Sequence, residues 1–448
     1  MICKGLIYRK IFIEPAELFG SKSHNSFYYF LMSNHKFQPV RGTKDLFGDD
    51  IKIFNTIIDA ASKRANDYGF NELQTPIFEF SEVFERNLGE ASDIVAKEVY
   101  KFPDRGNNFL TLRPEFTAGV VRAFISNGEL QQVLPQKFFS YGPVFRYDRP
   151  QKGRQRQFHQ INFEVLGEES FYADVEMILL AASILKDLRV LEQTTLEINS
   201  LGCAETKLRY EVALKEYFTK FAEQLSADSK IRLEKNPLRI LDSKDAQDIE
   251  LCEGAPMIQQ FFSAEAKSRF DSILEALTKF GVKTKVNPRL VRGLDYYTST
   301  VFEFTMPVEG AQNTVLAGGR YDGLIEKMGS KKCPAIGFAA GMERLMLLTK
   351  ITAKKSQPIT VTYIADKQKS AAFELTQRLR NKGFEAEFIY DGNFKKQMKK
   401  ANQNNSRFVL ILGEDEVKNG EVMVKDFENS GEQKVKQELV LAYLEGKV

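Results

Sequence analysis

The stretch that decides the fold is FFSYGPVFRYDRPQKGRQRQFHQINFEVL, residues 138–166. Two strand-patterned runs, Phe138 to Arg146 and Phe158 to Leu166, flank a connection containing Pro150 and Gly153, so the stretch reads as a hairpin with a long loop. The second run alternates as a strand must. His159, Ile161, Phe163 and Val165 point one way, and Gln160, Asn162 and Glu164 the other. Placing Arg146 opposite Phe158 puts Arg146, Gln160 and Glu164 on one face, a polar surface of mixed charge that reads as a binding floor. The loop adds Arg149, Lys152, Arg154 and Arg156. A cluster of cations tethered to such a floor favours a phosphate-bearing partner over a merely solvated basic loop.

Upstream, Ile51, Phe54, Ile57, Ile58 and Ala61 fall at helical spacing, and Gly69 is a natural stop. An extended segment from Phe70 to Phe80 follows. Its Pro76 favours a sheet edge or an interface over a central strand. Leu112-Arg113-Pro114-Glu115-Phe116-Thr117 reads, taken alone, as a charged surface turn.

Downstream, residues from about 203 to 288 are mostly helix-patterned, broken at Asn236-Pro237-Leu238-Arg239, and look like an insertion between two parts of one sheet. Strand signals return at Thr298 to Phe304 and Val315 to Ala317. Val291-Arg292-Gly293-Leu294-Asp295-Tyr296-Tyr297-Thr298 lies just before them. Paired tyrosines are ordinarily core or interface residues, but flanked by Arg292 and Asp295 at a loop-to-strand junction they read as part of a site. Gly318-Gly319-Arg320-Tyr321-Asp322-Gly323 comes next, and then a glycine-spaced strand, Gly337-Phe338-Ala339-Ala340-Gly341, runs into a helix carrying Arg344. Small residues let a ligand approach the backbone there, yet the spacing matches neither a P-loop nor a dinucleotide fingerprint. A linker near Lys354 to Pro358 precedes strands at Ile359 to Ile364, Ala386 to Ile389 and Phe408 to Leu412 that alternate with helical segments, a small α/β domain. In it Lys395, Lys396, Lys399 and Lys400 recur at helical spacing.

Composition excludes several chemistries. Hydrophobic residues at 43% and charged residues at 27% describe a globular chain rather than a disordered one. No apolar run is long enough for a membrane span. A net charge of +3 gives no whole-chain argument for nucleic acid, so that case rests on local patches. The cysteines (Cys3, Cys203, Cys252 and Cys333) are scattered without a CxxC pair, which fits a reducing compartment. The only histidines are His24, His35 and His159, so no HExxH zinc site exists and chemistry falls to arginines, carboxylates and substrate groups. Residues 1–32 mix basic and aromatic residues without a signal core. They read as a disordered or mis-started extension, with organelle targeting as the other option.

Together these segments resemble the class II aminoacyl-tRNA synthetases, and within that class the histidyl-tRNA synthetases, from about Gln38 to the C-terminus. Gly69 to Pro76 is similar to motif 1, the hairpin to motif 2 and the segment around Arg344 to motif 3. Arg292 to Tyr297 and Gly318 to Gly323 resemble blocks particular to the histidine enzyme. The resemblance implies an α+β fold: a six-stranded antiparallel catalytic sheet with flanking helices over residues 33–353, a helical insertion at about 203–288, and an α/β anticodon-binding domain over 358–448. It implies a cytoplasmic homodimer with Pro76 near the subunit contact, and a ligase that uses ATP and Mg²⁺ to activate L-histidine and transfers it to the 3′ end of tRNA(His). It further implies that Arg146 binds the α-phosphate and Arg344 the γ-phosphate, and that Glu115 and Thr117 hold the α-amino group. Gln160 contacts the amino acid, Glu164 with Tyr296 and Tyr297 surrounds the imidazole, and Arg292 neutralises charge developing on the α-phosphate. The sequence departs from motif 2 at Asp148, where the family commonly has a glutamate beside the adenine, with one methylene less reach. By the same resemblance Gln151, Arg154 and Arg156 would meet the acceptor end of the tRNA. The alternatives are a non-catalytic paralogue that senses histidine or tRNA, which can drop the motif arginines, and an RNA-binding protein that consumes no ATP.

Overall fold

The apolar spacing after Ile51 forms the helix Asp49–Asp67, which turns Phe54, Ile57, Ala61 and Ala65 inward. Gly69 follows with φ at +73°, a left-handed conformation that glycine adopts without a Cβ clash. The computed structural model describes residues 37–85, 98–128, 133–307, 313–352 and 356–447; the expected extension and part of the expected linker lie outside them. The chain divides into two compact units that meet between Ile351 and Thr352.

In the first unit the extended segment is split at Pro76 into β1 (Asn71–Glu72) and β2 (Phe78–Phe80). With β3 (Tyr100–Pro103) and β4 (Phe109–Leu112), β2 forms a three-stranded sheet in the order β2-β4-β3. The hairpin is β5 (Gln136–Phe145) and β6 (Gln157–Leu166). β7 (Thr195–Ser200), β8 (Thr284–Val286), β9 (Thr300–Thr305), β10 (Thr314–Arg320) and β11 (Ala335–Gly341) complete an eight-stranded sheet in the order β1-β5-β6-β11-β10-β9-β7-β8. From β5 to β7 all neighbours are antiparallel, so the six-stranded catalytic sheet is present. The short strands β1 and β8 add a parallel edge at either end.

Strand alternation assigns the two faces of this sheet. Ile161, Phe163, Val165, Ile336, Phe338, Phe302 and Phe304 are buried in one core, together with residues of the helices Asp49–Asp67, Phe171–Asp187 and Ala264–Lys279. Arg320, at the end of β10, is 1% exposed and donates to Asp174 Oδ2 at 2.6 Å, while Arg269 reaches the same oxygen at 2.7 Å. Two cations on one fully buried carboxylate tie the helix Phe171–Asp187 to the sheet and to the helix Ala264–Lys279. On the other face Gln160, Asn162 and Glu164 are buried polar groups.

The insertion leaves after β7 and returns through β8. The helix Ala227–Lys235 ends before Asn236, and Pro237 opens a 3₁₀ turn, Pro237–Asp242. The insertion is not separately packed. Tyr210, Leu214, Leu233, Leu238 and Ile240 share one apolar cluster with Leu290, Val291, Tyr296 and Tyr297, and the last helix of the expected insertion, Ala264–Lys279, belongs to the main core.

The second unit is a five-stranded sheet in the order β13-β12-β14-β15-β16. β12 (Ile359–Tyr363), β13 (Ala386–Phe388) and β14 (Phe408–Leu412) are parallel. An antiparallel hairpin, β15 (Glu421–Asp426) and β16 (Gly431–Lys436), extends the sheet. This hairpin is additional to the three expected strands. Among the described residues no helix is long and apolar enough to cross a membrane.

Candidate active site

Arg146 follows the last residue of β5, and its backbone N–H donates to Arg156 O at 2.9 Å. The hairpin therefore pairs Val144 with Phe158 and Phe145 with Gln157, two residues away from the register that set Arg146 opposite Phe158. A slip of two leaves every side chain on its original face. Arg146 and Gln160 accordingly line one cavity, along with Glu115, Thr117, Tyr296, Tyr297, Arg292 and Arg344. Three guanidinium groups from distant segments converge there. β11 supplies Gly337, Ala339 and Gly341 to the same wall, so that stretch of sheet presents almost no side-chain bulk.

Each cation is held from behind. Arg146 Nε donates to Pro114 O at 2.9 Å, and burial lowers its pKa from the ordinary arginine value. Arg344, on the helix Met342–Leu348, donates through Nη1 to Thr314 O, and burial lowers its pKa too. Arg292 pairs through Nη1 with Glu303, whose other oxygen accepts from Thr314 Oγ1 at 2.9 Å. Arg292 Nε is buried without a hydrogen-bond partner. An unsatisfied buried donor on a cation is a group poised for a ligand.

The LRPEFT segment is a buried helix start rather than a surface turn. Arg113 is buried, with Nη1 on Thr75 O and Nε on Pro143 O, both at 2.8 Å. Its guanidinium lies 4.1 Å from the Phe116 ring centre, and burial lowers its pKa to about 10. Glu115 accepts the backbone N–H groups of Thr117 and Ala118 at 2.5 and 2.8 Å, which caps the helix Thr117–Ser126. Burial pushes the Glu115 carboxyl up, against those hydrogen bonds.

Glu164 stands behind the cavity wall rather than on its surface. It is fully buried and is absent from the residues lining the cavity. It lies under the wall, its carboxylate against Gly337, where an added Cβ would stand 1.5 Å from Oε2. The Thr117 hydroxyl and Asn162 Nδ2 donate to Oε1 at 2.5 and 2.9 Å, and the Tyr321 hydroxyl donates to Oε2 at 2.5 Å. Burial pushes its pKa up to about 7. Tyr321 thus joins the site, although the sequence reading gave it no role; its signal was its place in the Gly318 to Gly323 block. Tyr296 lies with ring centres 4.7 Å from Tyr297 and 5.5 Å from Tyr321. Tyr297 rests on Gly319, where a Cβ would come within 2.9 Å of its ring.

The hairpin loop departs from expectation as well. Asp148 is paired with Arg154, and both line the cavity, so in this state Asp148 is engaged by a neighbour rather than open toward a base. Arg154, expected to point at nucleic acid, is turned inward by that pair. Gln151 and Arg154 close the tip through mutual backbone hydrogen bonds of 3.1 and 2.9 Å. Arg156 stacks 4.0 Å from the Tyr147 ring centre. Neither Gln151 nor Arg156 reaches the cavity. His159 binds Glu343 through Nδ1 at 2.8 Å, so the one described histidine serves to fix an acidic wall residue. Among the described residues no group of three or more His, Cys, Asp or Glu could hold a metal ion.

The histidyl-tRNA synthetase family profile matches residues 42–345, and an anticodon-binding domain profile matches 356–447. A histidine–tRNA ligase of Rickettsia bellii is 47% identical over 398 residues, 89% of this chain and 96% of that protein. The histidine–tRNA ligase of Rickettsia prowazekii is 46% identical over 407 residues, 91% and 98% of the two chains. Among solved structures, the apo histidyl-tRNA synthetase of Staphylococcus aureus superposes with a TM-score of 0.77 at 30% identity, covering 91% of this chain and 99% of that one. With motif hairpin, paired tyrosines, glycine-lined wall and C-terminal sheet all in place, the chain belongs to the histidyl-tRNA synthetase family.

Proposed function

We propose that the protein is a histidine–tRNA ligase: it condenses L-histidine with ATP to give histidyl-adenylate and pyrophosphate, then moves the histidyl group to the 3′ end of tRNA(His). The carrying observation is the convergence of Arg146, Arg292 and Arg344 on one cavity that also holds Glu115, Thr117, Gln160 and the two tyrosines. A histidine carboxylate is already ionised at neutral pH, so no general base is needed for its attack on the α-phosphate. The carboxylate oxygen forms a bond to phosphorus, and the bond to the pyrophosphate oxygen breaks. Catalysis then rests on alignment and on cations placed where charge grows.

Arg146 holds the α-phosphate and Arg344 the far end of the triphosphate, while Arg292 leaves Glu303 to meet the developing charge. Glu115 and Thr117 receive the α-amino group. The imidazole is read through the side-chain-free window at Gly337 by Glu164 and its partner Tyr321, with Tyr296 and Tyr297 as walls. A pocket that pairs both ring nitrogens leaves its own polar groups unpaired with an aliphatic competitor, which supports discrimination of roughly 10⁴ to 10⁵. In the second step the terminal ribose hydroxyl attacks the adenylate carbonyl carbon and AMP leaves. Gln151, Arg154 and Arg156 contact the acceptor end, Arg154 after releasing Asp148, which turns to the adenine.

Glu343 in the cavity wall and Glu303 beside Arg292 are the carboxylates that would hold a Mg²⁺ ion bound with the triphosphate. The ion would supply neutralisation of the nucleotide's charge alongside the arginines. The protein works as a cytoplasmic homodimer. Phe78, Phe80 and Phe102 are more than a third exposed and share one face of the three-stranded sheet, next to Pro76. A second copy covering them is the economical partner.

The other reading is a sensing paralogue, the class to which an ATP phosphoribosyltransferase regulatory subunit/histidyl-tRNA synthetase of Bacillus halodurans belongs by name. It shares the fold at a TM-score of 0.63 but only 22% identity. The three arginines favour the enzyme. ATP–pyrophosphate exchange tests the choice: exchange that depends on histidine, and on no other amino acid, supports the ligase. Absence of exchange in protein that still binds histidine supports the sensor.

A further inference from the structure

The loop carrying Arg292, Tyr296 and Tyr297 has no regular structure of its own between β8 and β9. Something else must hold it, since a catalytic cation misplaced by about 1 Å can cost on the order of 100-fold in rate. Alongside Asn199 of β7 and Glu303 of β9, three of the side chains that hold it come from the helical insertion. Lys207, on the helix Ala204–Thr219, donates through Nζ to Asp295 O at 3.2 Å and to Tyr297 O at 3.3 Å. Asn236, which ends the helix Ala227–Lys235, donates through Nδ2 to Asp295 Oδ1 at 2.9 Å. Arg239, in the turn Pro237–Asp242 and 5% exposed, donates through Nη1 to Arg292 O at 2.9 Å.

We propose that Lys207, Asn236 and Arg239 are positioning residues for histidine activation: the insertion clamps the Arg292–Tyr297 loop from behind and sets where Arg292 and the two tyrosines stand. Three donors from three elements of the insertion meet the backbone or side chain at residues 292, 295 and 297. None of the three lines the cavity, so they act through the loop. The apolar packing runs the same way, because Tyr296 and Tyr297 belong to the cluster that contains the insertion's Tyr210, Leu214, Leu233 and Leu238. Asp295 is the hub. Burial pushes its carboxyl up, while Arg239, Lys207 and the Asn236 amide pull it back down. The insertion is therefore part of the amino-acid side of the site, and a macromolecule that shifts it alters activation of histidine before any transfer occurs.

The clamp rests on the ligase reading, and the experiment separates the two. Histidine-dependent ATP–pyrophosphate exchange is measured on the full-length parent and on Lys207→Met, Lys207→Arg and Asn236→Asp, with KM for histidine and for ATP determined separately. Exchange by the parent tests the ligase reading alone. For the clamp, Lys207→Met and Asn236→Asp lower kcat/KM for histidine by about 10- to 100-fold and leave KM for ATP within about twofold, since Arg146 and Arg344 are held elsewhere. Lys207→Arg, which keeps a cationic donor, recovers most of the loss. Asn236→Asp is nearly isosteric and sets a carboxylate against Asp295, so it probes the contact without opening a cavity. Lys215→Met, which removes an exposed ion pair with Glu234 on the insertion, leaves all constants unchanged. The proposal is overturned by parent-like histidine constants in Lys207→Met and Asn236→Asp, or by a KM for ATP that rises as much as the KM for histidine. It is also overturned by failure of Lys207→Arg to recover activity.

Discussion

Arg292 meets Glu303 in the unliganded protein, and its Nε remains buried and unpaired. In the proposed reaction its contribution is a difference between two partners, a fixed carboxylate before the reaction and a developing phosphate charge during it. Arg292→Ala lowers histidine-dependent exchange by about 10² to 10³, the usual loss of one transition-state donor; near-parent exchange removes it from the mechanism. Glu164 supports a prediction about stability. Its folded pKa of about 7 lies above the solvated value of roughly 4.3, so the folded state binds the proton more tightly. The stabilisation from this group is complete below the solvated value and is lost as pH rises through 7. Urea midpoints of the parent and Glu164→Gln at pH 5 and pH 8 check this, with the variant gaining on the parent at the higher pH. A constant difference between the two contradicts it. Residue types and strand parity made Arg146 and Gln160 legible as partners in one site. They could not reveal that the Glu164 carboxylate packs against Gly337, or that Tyr321 caps it, because both depend on how β10 and β11 sit beside β6.

Between elements, long-range polar pairs decide what the apolar pattern leaves open. The helix Phe171–Asp187 is apolar on most sides, and Asp174 fixes its rotation by engaging Arg320 and Arg269. Asp174→Ala leaves the buried Arg320 with Asp322, at 3.3 Å, as its remaining acidic partner and costs about 3–5 kcal/mol, read by urea unfolding; a loss below about 1 kcal/mol would show that Asp322 is partner enough. The hairpin was readable as a pair of strands because its alternation is clean. Its register was not, since the loop has no tight-turn signature, yet the two-residue shift cost nothing in the assignment of faces. The edge hairpin of the second unit was missed for a compositional reason: β16 buries only Val435 and otherwise carries polar residues, so it has no hydrophobic signature. The LRPEFT segment failed as a turn because Arg113 finds backbone carbonyls in the interior, which a charge count cannot foresee.

For the whole molecule, a net charge of +3 conceals how its cations are distributed. Lys395, Lys396, Lys399 and Lys400 are exposed along the helix Phe394–Gln403, whose Gln397 and Ala401 are buried. Replacing the four by glutamine raises KM for tRNA in aminoacylation and leaves histidine-dependent exchange unchanged. It also flattens the log–log salt dependence of tRNA binding, by about 0.9 in slope for each phosphate no longer neutralised. An unchanged salt slope would mark them as a solvated face. Two units and an insertion were visible as changes of pattern along the chain, but the sharing of a core between the insertion and the tyrosine loop was not, because apolar residues do not name their partners. Arg146, Arg292 and Arg344 line one cavity with Tyr296 and Tyr297, and the proposed reaction requires that they gather around a single nucleotide beside an imidazole. A crystal structure of the protein with histidine and a non-hydrolysable ATP analogue tests it directly. The account predicts the α-phosphate between Arg146 and Arg292, the terminal phosphate on Arg344, and the imidazole against Tyr296, Tyr297 and the Gly337 window. A nucleotide bound away from any two of these arginines would contradict it.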